Sequence, residues 1–191
     1  MKKLLVLMAL VCVVLNVSAQ ESGFSWKAGI GLSSIAGSDN EGFKSNISYK
    51  VGVSYDYAIS ESFSIEPAAL LNNKCFKAED VTGTINRIFL EVPILAAYKL
   101  DLNDNCKLVI NAGPYVSYGL LGSDIEWSDG DKSNVFDLCE RFEAGIEAGA
   151  KVLFGGMSVG VDFNRALTKA FKEGDAKLYS QVIGVTFGYA F

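Results

Sequence analysis

The segment YSQVIGVTFGYAF, residues 179–191, alternates between two kinds of side chain. Its odd positions are large and mostly apolar, as at Ile183, Phe187 and Phe191, whereas its even positions are small or weakly polar. Successive side chains of a β-strand point to opposite faces, so this period of two predicts a strand with one bulky apolar face.

The same alternation recurs along the chain. It is clearest in segments 24–36 and 47–59, where aromatic and β-branched residues alternate with Gly, Ser and Lys. Weaker examples occupy 62–74, 86–100, 106–120, 137–152 and 157–165. Together with the last segment, these stretches predict an all-β protein of eight strands.

The predicted connections alternate in length. Long gaps follow the first, third, fifth and seventh strands, at 37–46, 75–85, 121–136 and 166–178. Short gaps fall near 60–61, 101–105 and 153–156. Outer-membrane barrels have long outside loops and short periplasmic turns. With both chain ends in the periplasm, the pattern predicts an eight-stranded antiparallel up-and-down transmembrane β-barrel.

The charged residues indicate which face meets lipid, because on the strands they alternate with the bulky apolar residues. A soluble lipocalin-like barrel would turn the bulky face inward, where it would overfill an interior of eight strands. Turned outward, that face forms a lipid-facing band, and opposite charges must pair in the lumen because a lone buried ion is costly. The expected structural ion-pair network consists of Lys50, Glu66, Glu91, Arg141, Glu143, Glu147 and Asp162.

Three prolines, Pro67, Pro93 and Pro114, fall inside predicted strands. Proline lacks the backbone donor that a strand ladder uses, so local irregularities are expected there. The apolar parity is the same before and after Pro93, which disfavours a one-residue bulge at that position.

The N-terminus has the features of a secretory signal peptide. Lys2 and Lys3 precede an apolar run to Leu15, and small residues end at Ala19, where we expect cleavage. The alternative, a membrane anchor, fits less well because the run is shorter than the ~20 residues of a span. The expected domains are the signal peptide, 1–19, and an outer-membrane β-barrel domain, 20–191.

Four segments carry a resemblance to a known family. LEVPILAAYKL (90–100), NAGPYVSYGL (111–120), FDLCERFEAGIEAGAKV (136–152) and the closing VTFGYAF resemble the PorT-like outer-membrane β-barrel family common in Bacteroidetes. The resemblance implies a barrel in the bacterial outer membrane. Its motifs are structural, a Glu-x-Pro strand and a Gly-Pro-Tyr strand, and the family's founding member is linked to protein secretion.

The chain contains no histidine. Barrel enzymes that transfer or remove acyl chains, and barrel proteases, rely on a histidine as base or orienting group, so no enzymatic activity is expected. The net charge of −5 is the opposite of what a nucleic-acid-binding protein shows. Neither a cofactor nor a metal is predicted.

One acidic loop, residues 123–131, is a candidate interaction site. Its oxygen ligands suit hard cations, but their spacing is not that of an EF-hand, so solvation of the loop is the simpler interpretation. Its tryptophan is a candidate surface anchor for a partner. The residues singled out are Asp124, Glu126, Trp127, Asp129 and Asp131.

Three widely spaced cysteines, Cys75, Cys106 and Cys139, follow the signal peptide. They do not form a disulfide framework, so free thiols or at most one bridge are expected.

Three hypotheses remain for function. The first is a monomeric structural or interaction barrel that contacts outer-membrane lipid and other envelope proteins through its extracellular loops. The alternatives are a narrow pore or small hydrophobic-ligand transporter, and an accessory barrel of a secretion system.

Overall fold

The computed structural model describes residues 23–37, 43–78, 81–82, 84–103, 105–127, 132–172 and 178–191. The expected signal peptide, residues 1–19, lies outside them. The strands are β1 (Gly23–Gly37), β2 (Phe43–Ala58), β3 (Phe63–Ala78), β4 (Val81–Thr82), β5 (Ile85–Asn103), β6 (Cys106–Gly122), β7 (Asp124–Trp127), β8 (Lys132–Asn134), β9 (Phe142–Phe154), β10 (Met157–Ala166) and β11 (Leu178–Ala190). One short helix, α1, spans Val135–Leu138.

Eight of these strands close into an antiparallel barrel, in the order β1-β11-β10-β9-β6-β5-β3-β2. The first and last strands pair from Ser25↔Ala190 to Gly37↔Leu178, which closes the barrel. β4, β7 and β8 form a separate three-stranded sheet. The prediction of an eight-stranded antiparallel barrel is therefore confirmed.

The barrel is apolar outside and polar inside, as the alternation predicted. Ile30, Tyr49 and Val161 are among many large apolar residues that are exposed on the outer face. Lys50, Glu91 and other charged residues on the opposite parity are buried. A core of charges inside an exposed apolar surface is the reverse of a soluble barrel, and it suits a lipid environment. No helix in the described ranges is long and apolar enough to cross a membrane.

The prolines keep the strand registers intact. Pro93 pairs with Tyr115 in the same register as Ala96↔Ala112 further along, although the two positions between have no pairing partner in that ladder. The expected absence of a bulge at Pro93 is therefore confirmed. Register shifts occur elsewhere, between Ser45 and Tyr49 in β2 and at two places in β5.

The strand ends differ most from the predictions on the loop side. The long gaps predicted after the third and seventh strands are shortened, because β3 continues to Ala78 and β10 to Ala166. The predicted strand 137–152 begins only at Phe142. Its first residues belong to α1 instead, since Asn134 caps the helix and forms a capping box with Asp137.

The β9–β10 connection is a tight turn at the end that carries the chain termini. Gly155 and Gly156 have φ values of 53° and 84°, the two successive positive angles of a type I′ hairpin turn. Left-handed backbone is unfavourable for residues with a Cβ, by about 1–2 kcal/mol.

We predict that Gly156→Ala lowers the free energy of unfolding by about 1 kcal/mol, because alanine is strained at this φ. Urea titration of the folded barrel in detergent measures the change. Gly155→Asn is the matched control, since asparagine tolerates left-handed backbone and a Cβ there has open space. Equal losses of unfolding free energy in both variants would contradict the assignment of a type I′ turn at Gly155 and Gly156.

Candidate functional site

The lumen is filled by side chains from every barrel strand. The strands alternate in direction, so inward-facing residues far apart in sequence meet at the same height in the barrel. Among the described residues, six basic side chains and six carboxylates are largely buried in the lumen, so their charges balance. They are Lys27, Lys50, Lys74, Arg87, Lys99 and Lys151, with Asp56, Glu66, Glu91, Glu143, Glu147 and Asp162.

The most buried cluster is centred on Lys74, whose side chain is 1% exposed. Its ammonium forms an ion pair with Glu91 at 2.8 Å and donates a hydrogen bond to Glu143. The hydroxyl of Tyr115 donates to the same Glu143 oxygen at 2.8 Å, and Asn72 donates to Glu91 at 3.0 Å. One cation therefore serves two carboxylates, and a neutral donor adds a hydrogen bond to one oxygen of each.

A second cluster is centred on Lys50. Its ammonium lies 2.5 Å from Asp162 and 3.9 Å from Glu147. Thr186 donates its hydroxyl hydrogen to the other oxygen of Asp162. These two clusters occupy the middle of the barrel and hold four carboxylates against two lysines.

The third cluster lies towards the turn side, which is the end of the barrel with the short turns and the chain termini. It holds two lysines against one carboxylate. Glu66 accepts from Lys151 at 2.5 Å and from the Asn111 amide at 3.2 Å. Lys27 lies 3.7 Å from the same carboxylate. Nearer the opening at this turn-side end, Lys99 donates to Asp56 at 3.0 Å.

Six of the seven residues predicted for the network contribute to these clusters, and Arg141 does not. Arg141 is exposed and lies in the connection before β9, where its guanidinium stacks on Phe136 at 4.4 Å and donates to the Gly119 carbonyl at 3.2 Å. The prediction that Arg141 faces the lumen is wrong because the capped helix α1 replaces the start of the predicted strand. The predicted set also missed Lys74 and Arg87, although both have the inward parity of their strands.

The loop-side mouth of the barrel is closed by an apolar plug. We use this name for α1 and the side chains packed around it. Val135 and Phe136 of α1 are buried, and Phe136 meets Phe89 edge-on with ring centroids 6.1 Å apart. The rest of the plug comprises Phe43, Phe76, Ile85, Ile35, Leu138, Cys139, Ala170, Phe171 and Leu178.

Two glycines of β6 make room for the plug. A Cβ on Gly119 would collide with the Phe136 ring, and one on Gly122 would collide with Val135. A hydrogen bond from the β10–β11 connection also holds the plug. The Lys172 ammonium donates to the Phe136 carbonyl at 2.6 Å.

Arg87 joins the plug to the lumen clusters. It is buried between two plug rings, with its guanidinium carbon 5.1 Å from the centre of Phe76 and 5.4 Å from that of Phe89. One guanidinium nitrogen donates to Ser180 at 3.0 Å. Cation–π contact stabilises a charge that apolar packing alone would not.

The three cysteines in the described part of the chain are free, and two of them are buried. Burial raises the pKa of the Cys139 thiol, which belongs to the plug. Cys106 is partly exposed at the start of β6.

We predict that a maleimide labels Cys106 first in the folded barrel at neutral pH. Cys139 reacts slowly because the thiolate is the nucleophile and the raised pKa keeps its thiol protonated; its reactive fraction grows only as the pH rises towards that pKa. Mass spectrometry of labelled peptides measures the order. Rapid labelling of Cys139 before unfolding would show that the plug is open.

The candidate loop site is described in part. Asp124 is exposed and accepts from the Asn134 amide at 3.4 Å, while Glu126 and Trp127 lie in β7, which pairs with β4 and β8. Asp129 and Asp131 lie outside the described residues. Within the residues the structure describes, no group of three or more His, Cys, Asp or Glu could hold a metal ion.

Comparison with known proteins agrees with this architecture. The model of the outer membrane protein β-barrel domain family matches residues 4–191. The chain belongs to this family. It is an outer-membrane β-barrel protein, and no curated protein sequence matches it.

Two solved structures share the barrel fold. The outer membrane enzyme PagL aligns with a TM-score of 0.56 and 15% identity, over 87% of this chain and 99% of that one. Neisserial surface protein A aligns with a TM-score of 0.54 and 11% identity, over 90% of this chain and 100% of that one. At these identities the likeness shows the fold alone.

Proposed function

We propose that this protein is a sealed, non-enzymatic barrel that anchors an extracellular interaction surface in the outer membrane. The observation that carries the proposal is the plug. The connection between β6 and β9 folds back into the barrel mouth, which closes the lumen and fixes the β4–β7–β8 sheet above it. A fixed loop structure on a rigid barrel suits recognition of a partner.

The filled lumen argues against transport. A water-filled pore needs a continuous polar path, yet the plug places buried aromatic rings such as Phe76 and Phe89 across one end. A conduit for hydrophobic ligands needs an apolar interior, whereas the middle of this lumen holds Lys50 and Lys74 with four carboxylates. Neither alternative has a supporting feature among the described residues.

The proposal also includes the subfamily, the signal-peptide cleavage site and the oligomeric state. Membership of the PorT-like group rests on the quoted motifs, and with it the hypothesis of an accessory role in protein secretion. That role is tested by deleting the gene and comparing the proteins exported by the deletion strain with those exported by its parent. Cleavage after Ala19 and a monomeric barrel complete the proposal.

Site-specific photo-crosslinking in intact cells tests the interaction role. A photoreactive residue at Asp124, exposed at the loop end, should give a discrete adduct with another envelope protein. The matched control is the same residue at Ile30, which is exposed on the lipid-facing side and should give no protein adduct. Absence of a protein adduct at Asp124 and at exposed Glu140 would contradict the proposal.

A further inference from the structure

The turn-side end of the barrel contains an open cavity of about 430 Å³. We call it the vestibule. Its walls include Lys27, Lys99, Lys107 and Lys151, with the carboxylates of Asp56 and Glu66. The chain termini and short turns lie at this end, which in an outer-membrane barrel faces the periplasm. The plug closes the opposite end, so the vestibule is reached from the periplasmic side.

The charges at the base of the vestibule do not balance. Glu66 is the shared partner of Lys151, at 2.5 Å, and of Lys27, at 3.7 Å. Lys99 is matched by Asp56, and Lys107 by Asp101 at the rim, 3.6 Å away. Among the groups that line the vestibule, the base therefore holds one positive charge more than its carboxylate neutralises, and the compensating carboxylates lie deeper in the lumen, around Lys50 and Lys74.

Lys27 is the group that this imbalance leaves available. Its side chain is only 14% exposed, and within the described residues no acceptor lies within hydrogen-bond distance of its ammonium. An ammonium carries three donors, and leaving them unused in a largely buried position is costly. The vestibule is the space into which an acceptor for Lys27 can enter.

The same space offers neutral donors beside the two lysines. Ser25 and Ser54 form a hydroxyl pair 2.9 Å apart, and Ser158 also lines the wall. Several donors converging on a small cavity suit an anion with several acceptor oxygens, and lysine binds phosphate as a point charge. Low-dielectric barrel walls strengthen such an attraction.

We propose that the vestibule binds a compact phosphate-bearing anion from the periplasm, with Lys27 and Lys151 as its charged contacts. The proposal is independent of the extracellular role, because it concerns the opposite end of the barrel. Free inorganic phosphate and a phosphorylated glycerol headgroup present the same chemistry to these lysines.

Isothermal titration of the refolded full-length mature barrel in detergent tests the site, at low ionic strength and in a phosphate-free buffer. Inorganic phosphate should bind saturably at one site, and Lys27→Gln should weaken binding about tenfold, since a charge-assisted hydrogen bond is lost. Lys77→Gln, the same charge change on an exposed residue at the loop end, should leave binding unchanged. Comparable binding of glycerol phosphate would identify a headgroup source, and much weaker binding a free-phosphate source.

No saturable binding of phosphate, an unchanged affinity in Lys27→Gln, or equally tight binding of acetate would overturn the proposal. A second measurement needs no variant. Phosphate should protect Lys27 and Lys151 from acetylation in the wild-type barrel, relative to chloride at equal ionic strength, while labelling of Lys77 stays the same. Equal labelling of all three lysines with and without phosphate would also reject the site.

Discussion

Replacing Lys74 by methionine is expected to lower the free energy of unfolding by about 3–5 kcal/mol, the largest effect of any single lumen change. The substitution removes the one cation shared by Glu91 and Glu143, both of which are buried. Methionine fills a similar volume, so the loss reflects uncompensated charge more than a cavity. Urea unfolding in detergent, followed by the heat-dependent gel shift of the barrel, measures it.

The control for this result is Lys77→Met on the same strand. Lys77 is exposed, and its loss should change stability by no more than a few tenths of a kcal/mol. Adding Glu91→Gln and Glu143→Gln to Lys74→Met should recover most of the stability, because neither position of this cluster then holds a buried carboxylate without its lysine. A triple variant as unstable as Lys74→Met alone would show that charge pairing is not the cause.

Replacing Phe136 by alanine is expected to destabilise the plug by about 3 kcal/mol, since this ring is 2% exposed and packs on Phe89. The loss falls on the plug more than on the barrel, because the eight barrel strands close without α1. Opening of the connection should become about a hundredfold more frequent. Trypsin cleavage after Arg141, exposed at the end of that connection, measures this on intact cells.

Leu167→Ala provides the comparison, because Leu167 is an equally apolar loop residue with its side chain largely exposed. Its substitution should leave the cleavage rate after Arg141 unchanged. If Phe136→Ala is cleaved no faster than Leu167→Ala, then the plug is not held by the packing of this ring. The gel shift of both variants should match that of the wild type.

The barrel itself was predictable because a single pattern, the alternation of bulky apolar with small or polar residues, recurs in its strands. Lipid outside and a narrow lumen inside impose the same period on every strand, so parity placed Lys50, Glu91 and Asp162 inside before any pairing was known. The alternation of outer and inner connections similarly gave the direction of each strand.

The pairing within the lumen was not predictable in the same way. Lys74 meets Glu143 across 69 positions of sequence, and that meeting depends on the stagger of β3, β5, β6 and β9. Parity fixes the face of a residue, whereas its height in the barrel depends on the shear. The sequence could therefore indicate which face of each strand supplies the network but not its three clusters.

The plug was missed for a local reason. Phe136 and Leu138 continue the alternation of the following strand, and the period of two took precedence over the capping signal of Asn134 with Asp137. Such a signature before an apolar pair predicts a helix start, and it would also have removed Arg141 from the lumen.

The central claim is that the lumen is closed, by ion pairs in the middle and by the plug at the loop end. Single-channel recording in a planar lipid bilayer tests it most directly, with a general porin inserted in the same bilayer as the positive control. The refolded barrel should show no steady conductance steps while the porin conducts. Reproducible unit steps from the wild-type barrel would contradict the closed lumen and favour a transport function.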